Sequence, residues 1–270
     1  MTIAMPCALA IGGLDPGGGA GVLADLRAFA AAGAFGSAVV AVATVQSTAG
    51  LRRARSLSAT EVVEQAREVL RHQRVRAVKV GALGSAANVR AVARLLAGRA
   101  GLAVVVDTPM LPSRGRARLL ARGAVQLLRE ALLPHATLVT VNADEAEALV
   151  GGPVRNVGEA HDAARALVSH CGAHAALVKG GHLAGPMAID VLAVGDEVIE
   201  LRARRLPGST VHGTGCTFAS LVAGRLATRS ARRVERDALV AAVRWAKRVH
   251  HAALVRAVDV GGAARVLVFT

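Results

Sequence analysis

The chain has 270 residues, of which 53% are hydrophobic and only 2% aromatic, and its formal net charge is +14. This length suits one large α/β domain or two small ones, and the hydrophobic content excludes a mostly disordered chain. A nucleic-acid-binding protein would combine basic clusters with stacking aromatic side chains, which are scarce here, so we expect no nucleic acid as a partner. The positive field would still attract an anionic small molecule.

The cysteines and the apolar segments indicate the compartment. Cys7, Cys171 and Cys216 are far apart and show no CxxC spacing, which favours neither a disulfide framework nor a structural zinc site. No secretory signal is apparent, so we expect a cytoplasmic protein. The uncharged stretch from Ala28 to Gly50 is long enough to span a bilayer. Its glycines and hydroxyl side chains favour a helix end, a turn and a buried strand, so we expect no membrane partner.

Short apolar runs alternate with amphipathic segments along the chain. The predicted strands are Ala8–Ile11, Ala38–Thr44, Ala77–Val80, Ala103–Val106, Ala136–Val141 and Ala175–Val178. The predicted helices between them are Ala20–Ala32, Ala59–His72, Ala86–Arg99, Ala117–Leu132 and Val157–His170. A hairpin of Met187–Val194 and Glu197–Ala203 follows, and then two helices, Thr217–Ala227 and Glu235–Val255. This order predicts an α/β fold over residues 1–270, in one domain, with a mostly parallel central sheet and helices on both faces.

Ligands of such sheets bind beyond the carboxyl ends of the strands, so the polar residues there are candidates for a site. The glycine-rich stretch Gly12–Gly21 follows the first strand and opens a helix. It lacks the Lys of a Walker A loop, and an ordinary glycine-rich turn is an equal alternative. Asp25 lies inside the following helix, where a solvated face and a ligand contact are the two alternatives.

The segment His212–Thr217 precedes an apolar helix. Successive amides of Gly213, Thr214 and Gly215 at a helix N-terminus would form an anion hole suited to a transferring phosphoryl group. Cys216 would lie in the first turn, where the pKa of a thiol falls, and its thiolate could accept the proton of an attacking hydroxyl. The alternative is that Cys216 is only a small buried residue.

Charged residues end several other predicted strands. Lys79 and Lys179 could each offer a positive charge to a phosphate, or could simply extend from a strand end towards water. Asp107 and Glu145 follow adjacent strands and could together hold Mg²⁺. Each carboxylate could equally cap a helix or lie in its first turn.

Taken together, the motifs resemble the bacterial hydroxymethylpyrimidine/phosphomethylpyrimidine kinases of thiamine synthesis, within the ribokinase-like superfamily. The resemblance extends from about Ala8 to Val255, and H-G-T-G-C-T is matched without change. The matching segments, in order, are Gly13–Gly21, Ala24–Arg27, Gln46–Thr48, Lys79–Leu83, Asp107–Met110, Asn142–Glu145, Lys179–His182 and His212–Thr217.

The resemblance implies that ATP and Mg²⁺ bind at the carboxyl edge of a ribokinase-like sheet. It implies that Cys216 is the catalytic base, that Lys179 stabilises the transferring phosphoryl group, and that the amides of Gly213–Cys216 form the anion hole. In the family pattern, Asp107, Asn142 and Glu145 would organise Mg²⁺ through water. These expectations rest on the motif matches, residue by residue.

The resemblance also implies an aminopyrimidine alcohol as the substrate, phosphorylated first on its hydroxymethyl group and then on the resulting monophosphate. The predicted ring-binding residues are Gly13, Asp25, Gln46, Ala82 and Pro109. Ala82 and Thr108-Pro109 depart from the family pattern, which has Met and Pro-Val there. Two alternatives therefore stay open, a pyridoxal kinase and a catalytically silent domain that binds pyrimidines and regulates another process.

Two further expectations concern assembly and closure. Related enzymes often dimerise, so we expect a homodimer. A loop near Leu111–Arg118, where Pro, Ser, Gly and Arg cluster, is the candidate for closing over the substrate, because phosphoryl transfer requires the exclusion of water.

Overall fold

The structure is a computed structural model that describes residues 5–99, 101–107, 109–110, 119–121, 123–183, 185–206, 211–229 and 234–269. The candidate closing loop near Leu111–Arg118 lies outside the described residues, as does Thr108.

A central sheet with antiparallel edges organises the described parts of the chain. The strands are β1 Cys7–Leu14, β2 Phe35–Ser47, β3 Gly50–Ser56, β4 Val75–Val80, β5 Ala103–Asp107, β6 Leu138–Val141, β7 Ala175–Val178, β8 Met187–Val194, β9 Glu197–Arg204, β10 Val211–His212 and β11 Arg265–Val266. The first nine form one sheet in the order β3-β2-β1-β4-β5-β6-β7-β8-β9. Pairs from β2 to β7 are parallel, whereas β3, β8 and β9 run antiparallel to their neighbours. The predicted α/β fold with a mostly parallel sheet is confirmed.

Helices cover both faces of this sheet. They are α1 Gly21–Ala31, α2 Ala59–His72, α3 Ala86–Leu96, α4 Ala124–Leu127, α5 Ala143–Val150, α6 Val157–Ser169, α7 Thr214–Ala227 and α8 Arg236–Val255. A π-helical turn, Leu128–Leu132, and a 3₁₀ turn, Leu133–His135, continue α4, and another 3₁₀ turn spans Gly180–His182.

Successive strand residues enter two separate hydrophobic cores. In β1, Leu9 and Ile11 pack on the face covered by α2 to α6, whereas Ala8 and Ala10 pack on the face covered by α1, α7 and α8. The strands are buried on both faces, which explains their continuous apolar sequences. On this second face α1 and α7 pack closely, since a Cβ built on Gly224 of α7 would lie 3.1 Å from the Cα of Phe29 in α1.

Besides the two-residue strands β10 and β11, which the sequence pattern does not predict, the structure differs from the sequence prediction at three elements. The pattern does not reveal β3, because Arg52, Arg53 and Arg55 interrupt any apolar alternation on this edge strand. Helix α5 is short and begins within the polar motif after β6. Within the helix predicted over Ala117–Leu132, the described residues form α-helix only at Ala124–Leu127, followed by a π-helical turn at Leu128–Leu132.

The uncharged stretch from Ala28 to Gly50 divides as expected between the end of α1, a turn and β2. Among the residues that the structure describes, no helix has both the length and the apolar character needed to cross a bilayer.

A buried ion pair joins the sheet to two helices. Lys79 lies within β4, and its Nζ is 3.0 Å from both carboxylate oxygens of Asp25 in α1. Ser220 of α7 donates a hydrogen bond to the same carboxylate at 2.7 Å. The side chains of Lys79 and Asp25 are 1% and 0% exposed. Lys79 therefore neither reaches towards water nor offers a mobile charge to a phosphate, and both interpretations of this residue are wrong.

We expect Lys79→Met to lower the free energy of unfolding by about 3–5 kcal/mol, because it leaves Asp25 buried and without its counter-ion. The double variant Asp25→Leu/Lys79→Met should recover most of this loss, since no charge then stays buried. Urea unfolding measures both effects. Arg90→Met, an exposed substitution on α3, serves as the control and should change stability by no more than about 0.5 kcal/mol. Equal losses in the single and double variants would show that the pair is not the source of the effect.

Candidate active site

The polar motifs meet at the carboxyl edge of the sheet. Asp107 ends β5, and Lys179 follows β7 directly. Lys179 Nζ lies 3.0 Å from Asp107 Oδ1. A Cβ built on Gly215, at the start of α7, would lie 3.1 Å from Lys179 Nζ and 4.0 Å from Asp107 Oδ1. The fold therefore brings together three predicted catalytic and metal-binding residues that are far apart in the sequence.

Lys179 and Asp107 hold opposite charges in an enclosed setting. Thr140 Oγ1 donates to Asp107 Oδ1 at 3.0 Å. Burial alone would raise the pKa of Asp107, but the ammonium groups of Lys179 and Lys79 outweigh it and hold this pKa below its ordinary value. Burial likewise opposes the charge on Lys179, yet the nearby carboxylates raise its pKa above the ordinary range. Both groups are therefore charged at neutral pH.

Helix α7 begins with a glycine turn. Gly213 has a φ of 76°, in the left-handed region that favours glycine. The first intrahelical hydrogen bond runs from the Thr217 N–H to Gly213 O, at 3.1 Å. The N–H groups of Thr214, Gly215 and Cys216 therefore have no acceptor within the helix. With the partial positive charge of a helix N-terminus, these amides are suited to hold an anion.

The glycine-rich loop after β1 packs against this turn. A Cβ built on Gly213 would lie 1.9 Å from Gly19 O, so no larger residue fits there. His212 Nε2 lies 2.9 Å from Asp15 Oδ2, and both side chains are buried. Burial opposes ionisation of Asp15, but His212 and two amides of its own loop hold the pKa of this carboxyl below its ordinary value. Asp15 thus organises the glycine-rich loop and joins it to the α7 turn.

Cys216 lies in the first turn of α7, but its thiol does not have the lowered pKa expected there. Burial raises the pKa of Cys216 to about 12, and although Lys79 and Lys179 lower it, they do not offset the burial. The carboxylates of Asp107 and Asp25 raise it further. The thiol is therefore protonated at neutral pH, and the expectation of a lowered pKa is wrong.

Several predicted ring-binding residues lie beside the glycine-rich loop. A Cβ built on Gly13 would lie 3.7 Å from the Cβ of Ala82, so these two residues are neighbours. Gln46, at the end of β2, has its side-chain Nε2 3.2 Å from His212 Nε2. Pro109, beyond β5, is half-buried.

Asp25 does not belong to this group. Its side chain is fully buried, and its two oxygens are engaged by Lys79 and Ser220. The alternative of a solvated helix face is wrong. Because the carboxylate is 0% exposed and pairs with Lys79, the structure favours a structural role for Asp25 over the predicted substrate contact.

Asp107 and Glu145 follow neighbouring strands at the same edge. Burial raises the pKa of Glu145 to about 7, with Lys179 opposing the shift and Asp107 adding to it. Glu145 Oε2 accepts the Asn142 N–H and Asn142 Oδ1 accepts the Glu145 N–H, both at 2.8 Å, so the helix-capping alternative holds for this pair. Asn142 is committed to this cap rather than turned freely towards a cofactor.

The carboxylates of Asp107 and Glu145 nevertheless fit a hard cation. Within the described part of the chain, Asp107 Oδ2 and Glu145 Oε1 accept no hydrogen bond. No group of three or more His, Cys, Asp or Glu side chains among the described residues is arranged to hold a metal ion. Mg²⁺ takes one or two carboxylates together with phosphate oxygens and water. Asp107 and Glu145 could supply the two carboxylates at the carboxyl edge of the sheet.

The sequence motifs do not include His250 of α8, which also contacts this site. Its Nε2 lies 3.0 Å from Thr214 O, and its ring meets Phe218 edge-on with 5.7 Å between centroids. Burial lowers the pKa of His250 to about 4, and the charges of Lys247 and Lys179 lower it as well. His250 is therefore neutral and donates through Nε2–H, because a carbonyl can only accept. No sequence signal marks this residue, since its partner lies in another helix.

The lowered pKa of His250 couples folding to pH. Unfolded histidine has a pKa of about 6.5, so the unfolded chain binds the proton before the folded chain does as the pH falls. The contribution of neutral His250 is complete above about pH 6.5 and is lost progressively towards about pH 4. We expect the stability of the native chain relative to His250→Gln to fall by on the order of 2–3 kcal/mol across this window.

Urea unfolding of both proteins across this pH range measures the difference. Comparison with the variant is necessary because the raised pKa of Glu145 acts in the opposite direction, favouring the fold at low pH and losing that contribution as the pH rises towards 7. A difference that does not change with pH would contradict the assignment of a neutral, half-buried His250.

Comparison with known proteins agrees with the motif analysis. A family model described as phosphomethylpyrimidine kinase matches residues 15–267. A hydroxymethylpyrimidine/phosphomethylpyrimidine kinase of Streptomyces coelicolor is 41% identical over 257 residues, which cover 95% of this chain and 91% of that protein.

Two solved structures show how widely the fold is shared. A pyridoxal kinase of Bacillus subtilis, in its ADP complex, superposes with a TM-score of 0.85 at 27% identity over 97% of both chains. A phosphomethylpyrimidine kinase of Clostridium difficile superposes with a TM-score of 0.76 at 28% identity, covering 92% of this chain and 99% of that one. The fold alone does not separate the two kinds of kinase, but the family match and the sequence identity do. The resemblance of the motifs is confirmed, and the chain belongs to the phosphomethylpyrimidine kinase family.

Proposed function

We propose that this protein transfers the γ-phosphoryl group of ATP to 4-amino-5-hydroxymethyl-2-methylpyrimidine, and then to the resulting monophosphate, in thiamine biosynthesis. The observation that carries the proposal is the position of Lys179 Nζ, which lies 3.0 Å from Asp107 and directly beside Gly215 in the first turn of α7. Catalysis of phosphoryl transfer consists mainly of positioning and charge stabilisation. A lysine, a carboxylate and free amides at one point supply both.

In the proposed step, the substrate oxygen attacks the γ-phosphorus in line with the bond to the departing ADP oxygen. One P–O bond forms as the other breaks, and Lys179 and the α7 amides stabilise the charge on the equatorial oxygens. Mg²⁺ held by Asp107 and Glu145 would neutralise charge on the phosphates. We propose that Thr214 and Asn142 border the nucleotide, Thr214 through its backbone amide.

The ring would lie between the glycine-rich loop and the end of β4. We propose that Gly13, Ala82 and Pro109 line its faces and that the Gln46 amide binds its polar edge. An amide both donates and accepts, which matches the adjacent amino group and ring nitrogen of an aminopyrimidine. Contact with His212 limits how the Gln46 side chain turns.

Cys216 is proposed to take the proton of the attacking hydroxyl. Because its pKa is raised to about 12, the thiolate is scarce at neutral pH but strongly basic when it forms. The charge of Asp107 contributes to the raised pKa, so a cation held by that carboxylate would lower it. Turnover that depends on this thiolate should rise with pH.

We expect Cys216→Ala to lower kcat about a hundredfold or more and to abolish the rise of kcat with pH. The measurement is kcat at saturating substrate from about pH 6 to pH 9, a range in which the thiolate fraction grows tenfold per unit. Cys171→Ala, which removes a buried thiol in the opposite core, should keep both the rate and the pH profile. Unchanged turnover in Cys216→Ala would exclude the thiol as the base.

We also propose that the protein acts in the cytoplasm as a homodimer. Its three cysteines are all free thiols, which is consistent with a reducing compartment. Analytical ultracentrifugation decides the oligomeric state.

Release of ADP from Mg-ATP tests the proposed reaction directly. The substrates to compare are hydroxymethylpyrimidine, its monophosphate, pyridoxal and a blank. We expect ADP with both pyrimidines and little above the blank with pyridoxal. ADP with pyridoxal alone would replace the substrate but keep the site. Binding of a pyrimidine without ADP release would instead indicate the silent regulatory domain.

A further inference from the structure

Helix α8 directs two polar side chains towards the two segments proposed to bind phosphate, which are the first turn of α7 and the turn that follows Lys179. Lys247 and His250 are three residues apart, so they lie on the same face of the helix. His250 Nε2 is 3.0 Å from Thr214 O, and Lys247 Nζ is 2.5 Å from Asp190 Oδ2. Neither side chain contacts Lys179 or Asp107 by a hydrogen bond in the described residues.

The Lys247 contact reaches the segment that follows Lys179. Asp190, on β8, uses its second oxygen to accept the Gly180 N–H at 2.8 Å. A Cβ built on Gly180 would lie 1.9 Å from Ile189 O, so the backbone there is pressed against β8. Lys247 thereby holds the Asp190 carboxylate in place, and this carboxylate in turn holds Gly180, the residue that follows Lys179. Asp190 is buried, and the Lys247 side chain is only 15% exposed, so solvent weakens this pair little.

The His250 contact acts on the anion-binding turn. Thr214 O belongs to the same planar peptide group as the Gly215 N–H, and the two point in opposite directions. Fixing the carbonyl from the α8 side therefore fixes the direction of the amide on the other side. This amide belongs to Gly215, which lies beside Lys179 Nζ. The edge-on contact with Phe218 limits rotation of the His250 ring.

We propose that Lys247 and His250 are positioning residues that together set the distance between Lys179 and the Gly215 amide. We call these two side chains the α8 clamp. Lys247 holds one proposed phosphate-binding segment at Gly180, through Asp190, and His250 holds the other at Thr214. Both segments must hold the same phosphoryl group during transfer. The proposal rests on the kinase reaction proposed above, but it concerns how the two segments are held rather than which alcohol is phosphorylated.

The α8 clamp matters because phosphoryl transfer depends on alignment. A misplacement of about 1 Å can cost on the order of a hundredfold in rate. We expect His250→Leu, which removes the donor, and Lys247→Met, which removes the charge, each to lower kcat roughly tenfold or more. The KM for the pyrimidine should change by less than about threefold, because neither residue borders the ring pocket.

Conservative variants separate positioning from simple packing. His250→Gln keeps an N–H donor and Lys247→Arg keeps the positive charge, so both should stay within about threefold of the native kcat. Val243→Ala is the matched control, since Val243 lies on α8 and is fully buried in the apolar core. It should lower the melting temperature as much as the test variants or more, while keeping kcat at temperatures where it is folded.

Affinity for ADP, measured by calorimetry on the same proteins, provides a readout that does not need turnover. We expect His250→Leu and Lys247→Met to weaken ADP binding about tenfold and the conservative variants to restore it. The α8 clamp would be overturned if both test variants kept the native kcat and the native ADP affinity. It would also be overturned if their losses of kcat and ADP affinity disappeared at temperatures where the variants are folded, as we expect for Val243→Ala. If the native protein binds ADP but turns over no substrate, the proposed reaction fails while the ADP measurement still decides on the clamp.

Discussion

The contact between Lys179 and Asp107 determines how the rest of the site is arranged. A half-buried ammonium and a buried carboxylate are each costly to remove from water, and they persist because they satisfy one another. Their 3.0 Å pair fixes the ends of β5 and β7 beside the first turn of α7. Burial raises the pKa values of Cys216 and Glu145; the charge of Lys179 opposes both shifts, and the charge of Asp107 adds to both. Charge balance at this point would therefore influence both the proposed phosphate binding and the proposed proton transfer.

This balance explains how an arginine-rich chain uses its few lysines. Of the 33 Lys and Arg residues, only three are lysines, namely Lys79, Lys179 and Lys247. Each of them pairs with an aspartate, and its side chain is at most 18% exposed. An ammonium is compact and can be satisfied by one carboxylate and a few oxygens, whereas a guanidinium brings five N–H donors in a rigid plane. Lysine therefore suits the fully enclosed position of Lys79 between sheet and helices, and arginine suits the surface.

Much of the fold follows from the sequence, because apolar runs alternating with amphipathic segments favour a parallel sheet covered on both faces. The same rule places Asp107 and Lys179 at one edge before any contact is known. The protonation state and the partners of the individual side chains do not follow from the local sequence. The helix N-terminus predicts a lowered pKa for Cys216, but enclosure by distant elements raises it. Asp25 in its motif resembles a ligand contact, yet its partner Lys79 lies 54 positions further along the chain. His250 belongs to no motif, because its role depends wholly on how α8 packs against α7.

The two glycine turns show why the site works as a unit rather than as separate motifs. Asp15 folds the first loop around its own carboxylate and pairs with His212, which precedes the second turn and also contacts Gln46. The proposed ring pocket and the proposed phosphate pocket thus share one buried histidine. A shift of the α7 turn would move the Gln46 side chain as well, since His212 touches both. Alignment of the alcohol with the phosphoryl group then depends on contacts among β2, the first loop and α7, which no single motif contains.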